Sequence, residues 1–131
     1  MNKLYVIVFI LMLLAHFFAD FHLQGILADM KQEQWWKSQE GYKSKYKYDY
    51  VAALAIHSAE WTIWMMIPLF LLPHIDLGMF LLLAALNIVV HSLTDNSKAN
   101  YRDINLIQDQ VIHLAQIAFT YAALVLIWAD A

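Results

Sequence analysis

Four long runs with almost no charge decide what this chain can fold into. Residues 4–19 hold no Asp, Glu, Lys or Arg, residues 50–75 hold only Glu60, and residues 77–94 and 110–129 hold none. A helix crosses a hydrocarbon core ~30 Å thick with about 20 residues, so each run, counted with its polar ends, is long enough. The reading is an all-α, integral membrane four-helix bundle. It forms a single transmembrane domain over residues 1–131, with helices over about 4–27, 50–72, 77–94 and 107–128. Pro73 ends the second helix and Asp76 suits the N-cap of the third, so these two form an antiparallel hairpin. The composition agrees, at 62% hydrophobic and 15% charged residues, against roughly half and a quarter in soluble domains. Eight Lys and Arg against eleven Asp and Glu exclude a basic nucleic-acid-binding surface. The absence of cysteine excludes disulfides, thiolate metal sites and a cysteine nucleophile. No small-x-small cleavage site follows the first run, so it is expected to stay as a helix and not to be removed as a signal peptide.

Charge sets the expected orientation. The loop between helices 1 and 2 carries Lys31, Lys37, Lys43, Lys45 and Lys47, and that between helices 3 and 4 carries Lys98 and Arg102. The turn between helices 2 and 3 carries no basic residue, so both long loops are expected in the cytoplasm and both termini outside. Trp35, Trp36, Tyr42, Tyr46, Tyr48 and Tyr50 alternate with those lysines, so the stretch over about 30–49 is expected to form an amphipathic loop, part of which lies along the bilayer surface.

The ionisable residues inside the spans are patterned. Helix 1 has His16-x-x-x-Asp20, helix 3 His91-x-x-x-Asp95 and helix 4 Asp109-x-x-x-His113, while helix 2 has His57 followed by Glu60. A spacing of four puts both side chains on one helix face, one turn apart. Helices 1 and 3 run toward the cytoplasm and helix 4 runs away from it, and its order is reversed. Each Asp is therefore nearer the cytoplasm and each His one turn deeper. The expectation is a layer of four histidines beneath a layer of three aspartates. Burying so many ionisable groups in a membrane costs about 2.5–3.5 kcal/mol each, which points to chemistry at that level.

Imidazole and carboxylate together suit zinc, manganese or iron. His16, Asp20, His57, His91, Asp95, Asp109 and His113 are the candidate ligands, enough for one ion with an outer shell or for two ions about 3.5–4 Å apart. Asp95, Asp109 or Glu60 is the candidate general base. Lys98, Gln24 and Asn87 extend the same stripes and are candidate contacts to cofactor or substrate, with Lys98 able to hold a phosphate or to act as a positive-inside anchor. Trp61 and Trp64 share the face of His57, as packing or as the floor of a pocket. His22 and His74 read as interfacial residues. A metal-free polar network and a proton or ion pathway remain open beside the metal site.

The stretches AHFFADFHLQ, AIHSAEW, VVHSLTDNSKAN and IQDQVIHLAQ resemble a family of small bacterial and phage membrane proteins, the domain of unknown function 3307. The matching residues are His16, Asp20 and Gln24, then His57, then His91, Asp95 and Lys98, then Asp109, Gln110 and His113. The resemblance implies a multi-pass protein of the bacterial inner membrane, with the lipid bilayer as its partner, and supplies no reaction. Two functions are carried forward. One is a metal-dependent hydrolase acting on a lipid or phosphate ester. The other is a non-enzymatic module that moves protons or metal ions, or that interacts with a phage-related membrane partner. A bis-histidine haem site is weaker, because the aspartates have no evident role in it.

Overall fold

A computed structural model describes residues 3–127, and the described chain is helical with no strand. Helix α1 (Lys3–Phe18) continues as a π-helical turn over Ala19–Leu23. Gly25 then takes a left-handed conformation (φ 48°), which redirects the chain into two short helices, α2 (Leu27–Met30) and α3 (Glu33–Lys37). A side chain would strain that turn. A 3-10 turn at Ser44–Tyr46 leads into α4 (Asp49–Met66), which tightens into a second 3-10 turn over Ile67–Leu71. Helix α5 (Leu77–Asn96) starts at Asp76, whose Oδ1 accepts from the Met79 amide at 2.6 Å, and runs on as a π-helical segment, Ser97–Tyr101. Helix α6 (Leu106–Tyr121) opens with a reciprocal capping box between Asn105 and Gln108 and continues as a π-helical segment to Ile127.

These limits differ from the expected ones for a physical reason. The chain is helical well past Thr94, because Asp95, Lys98 and Asn100 find partners inside the fold and do not need water. Hydropathy marks the end of an apolar run, not the end of a helix. The loop expected over 30–49 contains α3 and a 3-10 turn. Trp128 and both chain ends lie outside the described residues.

Among the described residues, Lys3–Leu23, Ser44–Leu71 and Leu77–Tyr101 are long and apolar enough to cross a membrane. Helix α6 carries Gln108, Asp109, Gln110, His113 and Gln116 in its first part, and the sequence from Ile117 to Ile127 is apolar apart from Thr120 and Tyr121. Helix α4 packs along α5 and α1, and α6 packs on α5 and α1, so each of the four long helices has two long neighbours. The pattern of exposure is inverted relative to a water-soluble domain. Ile7, Leu14, Ile56, Leu81, Leu82, Val89 and Leu93 face outward, while His16, Asp20, His57, Asn87, His91, Asp95, Asp109 and His113 are buried. An apolar plug of Val8, Met12, Met65, Met66, Leu69, Leu83 and Ile117 fills the half of the interior away from α2 and α3.

Candidate metal centre

Each long helix supplies side chains to the centre. His16 ends α1 and Asp20 sits in its π-helical turn; α4 gives His57, α5 gives His91 and Asp95, and α6 gives Asp109 and His113. All seven side chains are at most 3% exposed. Asp95 is the hub. Its Oδ1 lies 3.3 Å from His113 Nε2 and 3.8 Å from His91 Nε2, and its Oδ2 lies 3.5 Å from His57 Nε2. His57 Nε2 is also 3.4 Å from Asp20 Oδ1, and His113 Nε2 is 3.4 Å from Asp109 Oδ1. Ligand atoms of Asp20, His57, His91 and Asp95 all lie within 4.8 Å of one another, as do those of Asp20, Asp109 and His113. The two sets share Asp20.

The hydrogen bonds around the centre fix how the imidazoles face it. The Trp61 indole N–H, which can only donate, gives its proton to His16 Nδ1 at 2.8 Å. His16 must then carry its hydrogen on Nε2, which donates to Gln110 Oε1 at 3.1 Å. The Gln110 amide in turn donates to Asp20 Oδ2 at 2.7 Å and to Asp109 Oδ2 at 3.1 Å. Reversing that amide would aim its oxygen at two carboxylates, so its orientation is set. Both His16 nitrogens are thus used, and His16 belongs to neither ligand set. Through Gln110 it is linked to the carboxylates of Asp20 and Asp109.

His113 is held in the opposite sense. The Gln116 amide donates to the backbone oxygen and Oδ1 of Asn87, both at 3.2 Å, which turns Gln116 Oε1 toward His113 Nδ1 at 3.1 Å. Nδ1 therefore donates, and the Nε2 lone pair faces Asp95 and Asp109. A lone pair aimed at two carboxylate oxygens is repulsive unless a proton or a cation lies between them. Both nitrogens of His57, both of His91 and Asp109 Oδ1 are buried with no hydrogen-bond partner among the described residues. Each such atom left unsatisfied costs about 1–3 kcal/mol.

The other expected site residues are placed as follows. Lys98 Nζ pairs with Asp109 Oδ2 at 2.5 Å. The Gln24 amide donates to the Asp20 backbone oxygen, and its Oε1 is buried with no partner among the described residues. Asn87 bonds Leu83, Thr120 and Gln116, and reaches the centre only through Gln116. Glu60 is half-buried on α4 and lies outside both ligand sets. Trp61 does more than pack, since its ring stacks on His91 with centroids 4.3 Å apart while its N–H sets the His16 tautomer. Trp64 is exposed and touches Phe18. His22 is exposed and stacked on Phe18.

Lys31 is the residue that spacing did not reveal. It is buried, and its Nζ lies 2.5 Å from Asp95 Oδ2. The Gly25 turn brings it over the centre. Asn100 then clasps the chain there, donating to the Lys31 backbone oxygen at 3.0 Å and accepting from the Glu33 amide at 2.7 Å. Nearby, the Trp36 indole donates to the Met30 oxygen at 2.6 Å.

A family described as "Protein of unknown function (DUF3307)" matches residues 8–130. No curated protein and no solved structure matches the chain.

Proposed function

The chain belongs to the DUF3307 family, and from that premise we propose that it is a four-helix membrane bundle built around a divalent-metal hydrolytic centre. The observation that carries the reading is a set of separations. Zinc bonds of about 2.0–2.2 Å put neighbouring ligand atoms of a tetrahedron ~3.3 Å apart. The imidazole–carboxylate separations at the centre run from 3.3 to 3.8 Å, and the nitrogens of His57 and His91 have no hydrogen-bond partner among the described residues. A metal-free polar network would be expected to close those pairs into hydrogen bonds.

Asp20, His57, His91 and Asp95 offer four protein ligands, the number of a closed site; Asp20, Asp109 and His113 offer three, which leaves a position open to water or substrate. The shared Asp20 supports two ions, zinc or manganese suiting the donors better than softer metals. A divalent ion bound here supplies Lewis acidity and lowers the pKa of a water in the open position. The chain's own residues do the remaining work. Asp109 Oδ1, which lies 3.4 Å from His113 Nε2 and has no hydrogen-bond partner among the described residues, would be one of the three ligand atoms beside that open position. His16, Gln110, Gln116 and Asn87 hold the ligands in register, and the burial of all seven side chains excludes bulk water.

The apolar outer face and the three membrane-length helices support placement in the bilayer, with α6 as the fourth span. Its Asp109, His113 and Gln116 are tolerated because they turn inward. The basic loops support an inner-membrane topology with the centre opening to the cytoplasmic leaflet. A lipid or phosphate ester suits a centre at that depth. The test is hydrolysis of phosphate-ester lipids by the zinc-loaded, detergent-purified protein. Turnover lost in Asp109→Asn supports the reading, and a stable protein that binds zinc without any turnover refutes the enzyme half of it.

A further inference from the structure

Above the centre, at the expected cytoplasmic face, lies a cavity of about 350 Å³ lined by Gln24, Lys31, Gln32, Lys98 and Arg102, with no acidic residue in its lining. Lys31 and Lys98 belong to two environments at once. Each lines the cavity while its ammonium group holds a carboxylate of the centre, Asp95 or Asp109, at 2.5 Å. An ammonium group has three donors, so neither lysine is exhausted by that pair. Arg102 ends the π-helical segment in a left-handed conformation (φ 61°), unusual for a side chain of its size, and makes no ion pair among the described residues.

Charge shows what this arrangement is for. With its imidazoles neutral, as metal ligation requires, three aspartates against two lysines leave the centre one negative charge. One divalent ion reverses that to one positive charge, and two ions raise it to three. Ions that take the oxygens of Asp95 and Asp109 compete with the lysines for the same atoms. The displaced ammonium groups have the cavity beside them, and Arg102 already faces it. Such a cavity then favours an anion with several acceptor oxygens, which three cations and two amides can match.

We propose that this cavity seats the phosphate group of a phosphate ester, and that Lys31 and Lys98 pass from their carboxylates to that phosphate when divalent ions fill the centre. The proposal rests on the metal reading above. Metal and phosphate then bind cooperatively, each raising the affinity of the other by the same factor. The lysines act as stand-ins for the ions in the empty protein and as phosphate ligands in the loaded one.

The test is calorimetric titration of inorganic phosphate into the full chain in detergent, with and without zinc, zinc content being measured on the same samples. The expected result is phosphate affinity at least 10-fold higher with zinc. Lys31→Met is expected to keep or tighten zinc binding, because a competing cation is gone, while weakening phosphate binding about 10-fold. Arg102→Gln, on an exposed residue that touches no proposed ligand, is expected to weaken phosphate alone and stands in if Lys31→Met does not fold. Zinc binding with equal phosphate affinity in both states overturns this proposal and leaves the metal reading intact. No zinc binding overturns both. Competition separates the phosphate sources: phosphatidic acid in phosphatidylcholine micelles displacing phosphate below the concentration needed of glycerol phosphate marks a lipid headgroup, and the reverse order marks a soluble ester. Displacement by neither overturns the proposal.

Discussion

Replacing Asp95 with Asn separates the two jobs assigned to that carboxylate. Asn keeps the size of the side chain and removes its charge. The buried Lys31 ammonium, 2.5 Å from Asp95 Oδ2, then loses its counter-ion. Breaking a buried pair by removing one partner costs about 3–5 kcal/mol, so Asp95→Asn alone should be destabilised by about that much. It should also lose metal, because Asp95 faces three imidazoles at 3.3–3.8 Å. Loss of even an outer-shell group typically costs 10–100-fold in metal affinity, and loss of a ligand should cost at least as much. Adding Lys31→Met removes the stranded cation. The double variant should return to within about 1 kcal/mol of the parent, since replacing a whole buried pair is often neutral or stabilising, while zinc affinity stays at least 10-fold down. Stability is read by detergent denaturation and zinc by competition with a chromophoric chelator. If the double variant regains parental zinc affinity along with its stability, Asp95 serves only to hold Lys31, and the reasoning about the hub is wrong.

Further outcomes follow from the same contacts. Gln110→Leu removes the amide that orients His16, Asp20 and Asp109, and should lower zinc affinity 10–100-fold, whereas His22→Ala, on an exposed ring, should leave zinc content unchanged. Trp61→Phe keeps most of the packing but deletes the donor to His16 Nδ1; it should cost about 1–3 kcal/mol in stability, with Trp61→Ala costing more through its cavity. Zinc content should fall on acidification, because imidazole and carboxylate ligands must be deprotonated to bind a metal; a content that rises on acidification would contradict ligation by these groups. Ser38→Cys places one thiol in an exposed position of a chain that has none, and impermeant maleimide should label it from the cytoplasmic side alone.

Much of the centre was legible from one-turn spacing. His91 and Asp95 share a face of α5, and Asp109 and His113 share one of α6; their facing atoms lie 3.8 and 3.4 Å apart. Spacing identifies a face and not a partner, however. His16 lies on the inward face of α1 as its spacing implies, yet Trp61 and Gln110, from other helices, saturate both its nitrogens. Gln110 follows Asp109 directly, and adjacent helical residues point in different directions; only the approach of α1 to α6 lets it bridge two carboxylates. Lys31 was hidden more deeply. In a loop with four other lysines it reads as a topology signal, and its role depends on the Gly25 turn and the Asn100 clasp, which no local pattern encodes. The expected helix ends erred in the same way, since hydropathy reports contact with lipid while α5 continues on hydrogen bonds made inside the fold.

The central claim is that the buried imidazoles and carboxylates are metal ligands, and the metal content of the purified, folded protein tests it most directly. Elemental analysis after incubation with zinc and removal of loosely bound ions should find between one and two ions per chain. A folded protein that retains no divalent metal would contradict the account, and would leave the His/Asp layer as a buried polar network.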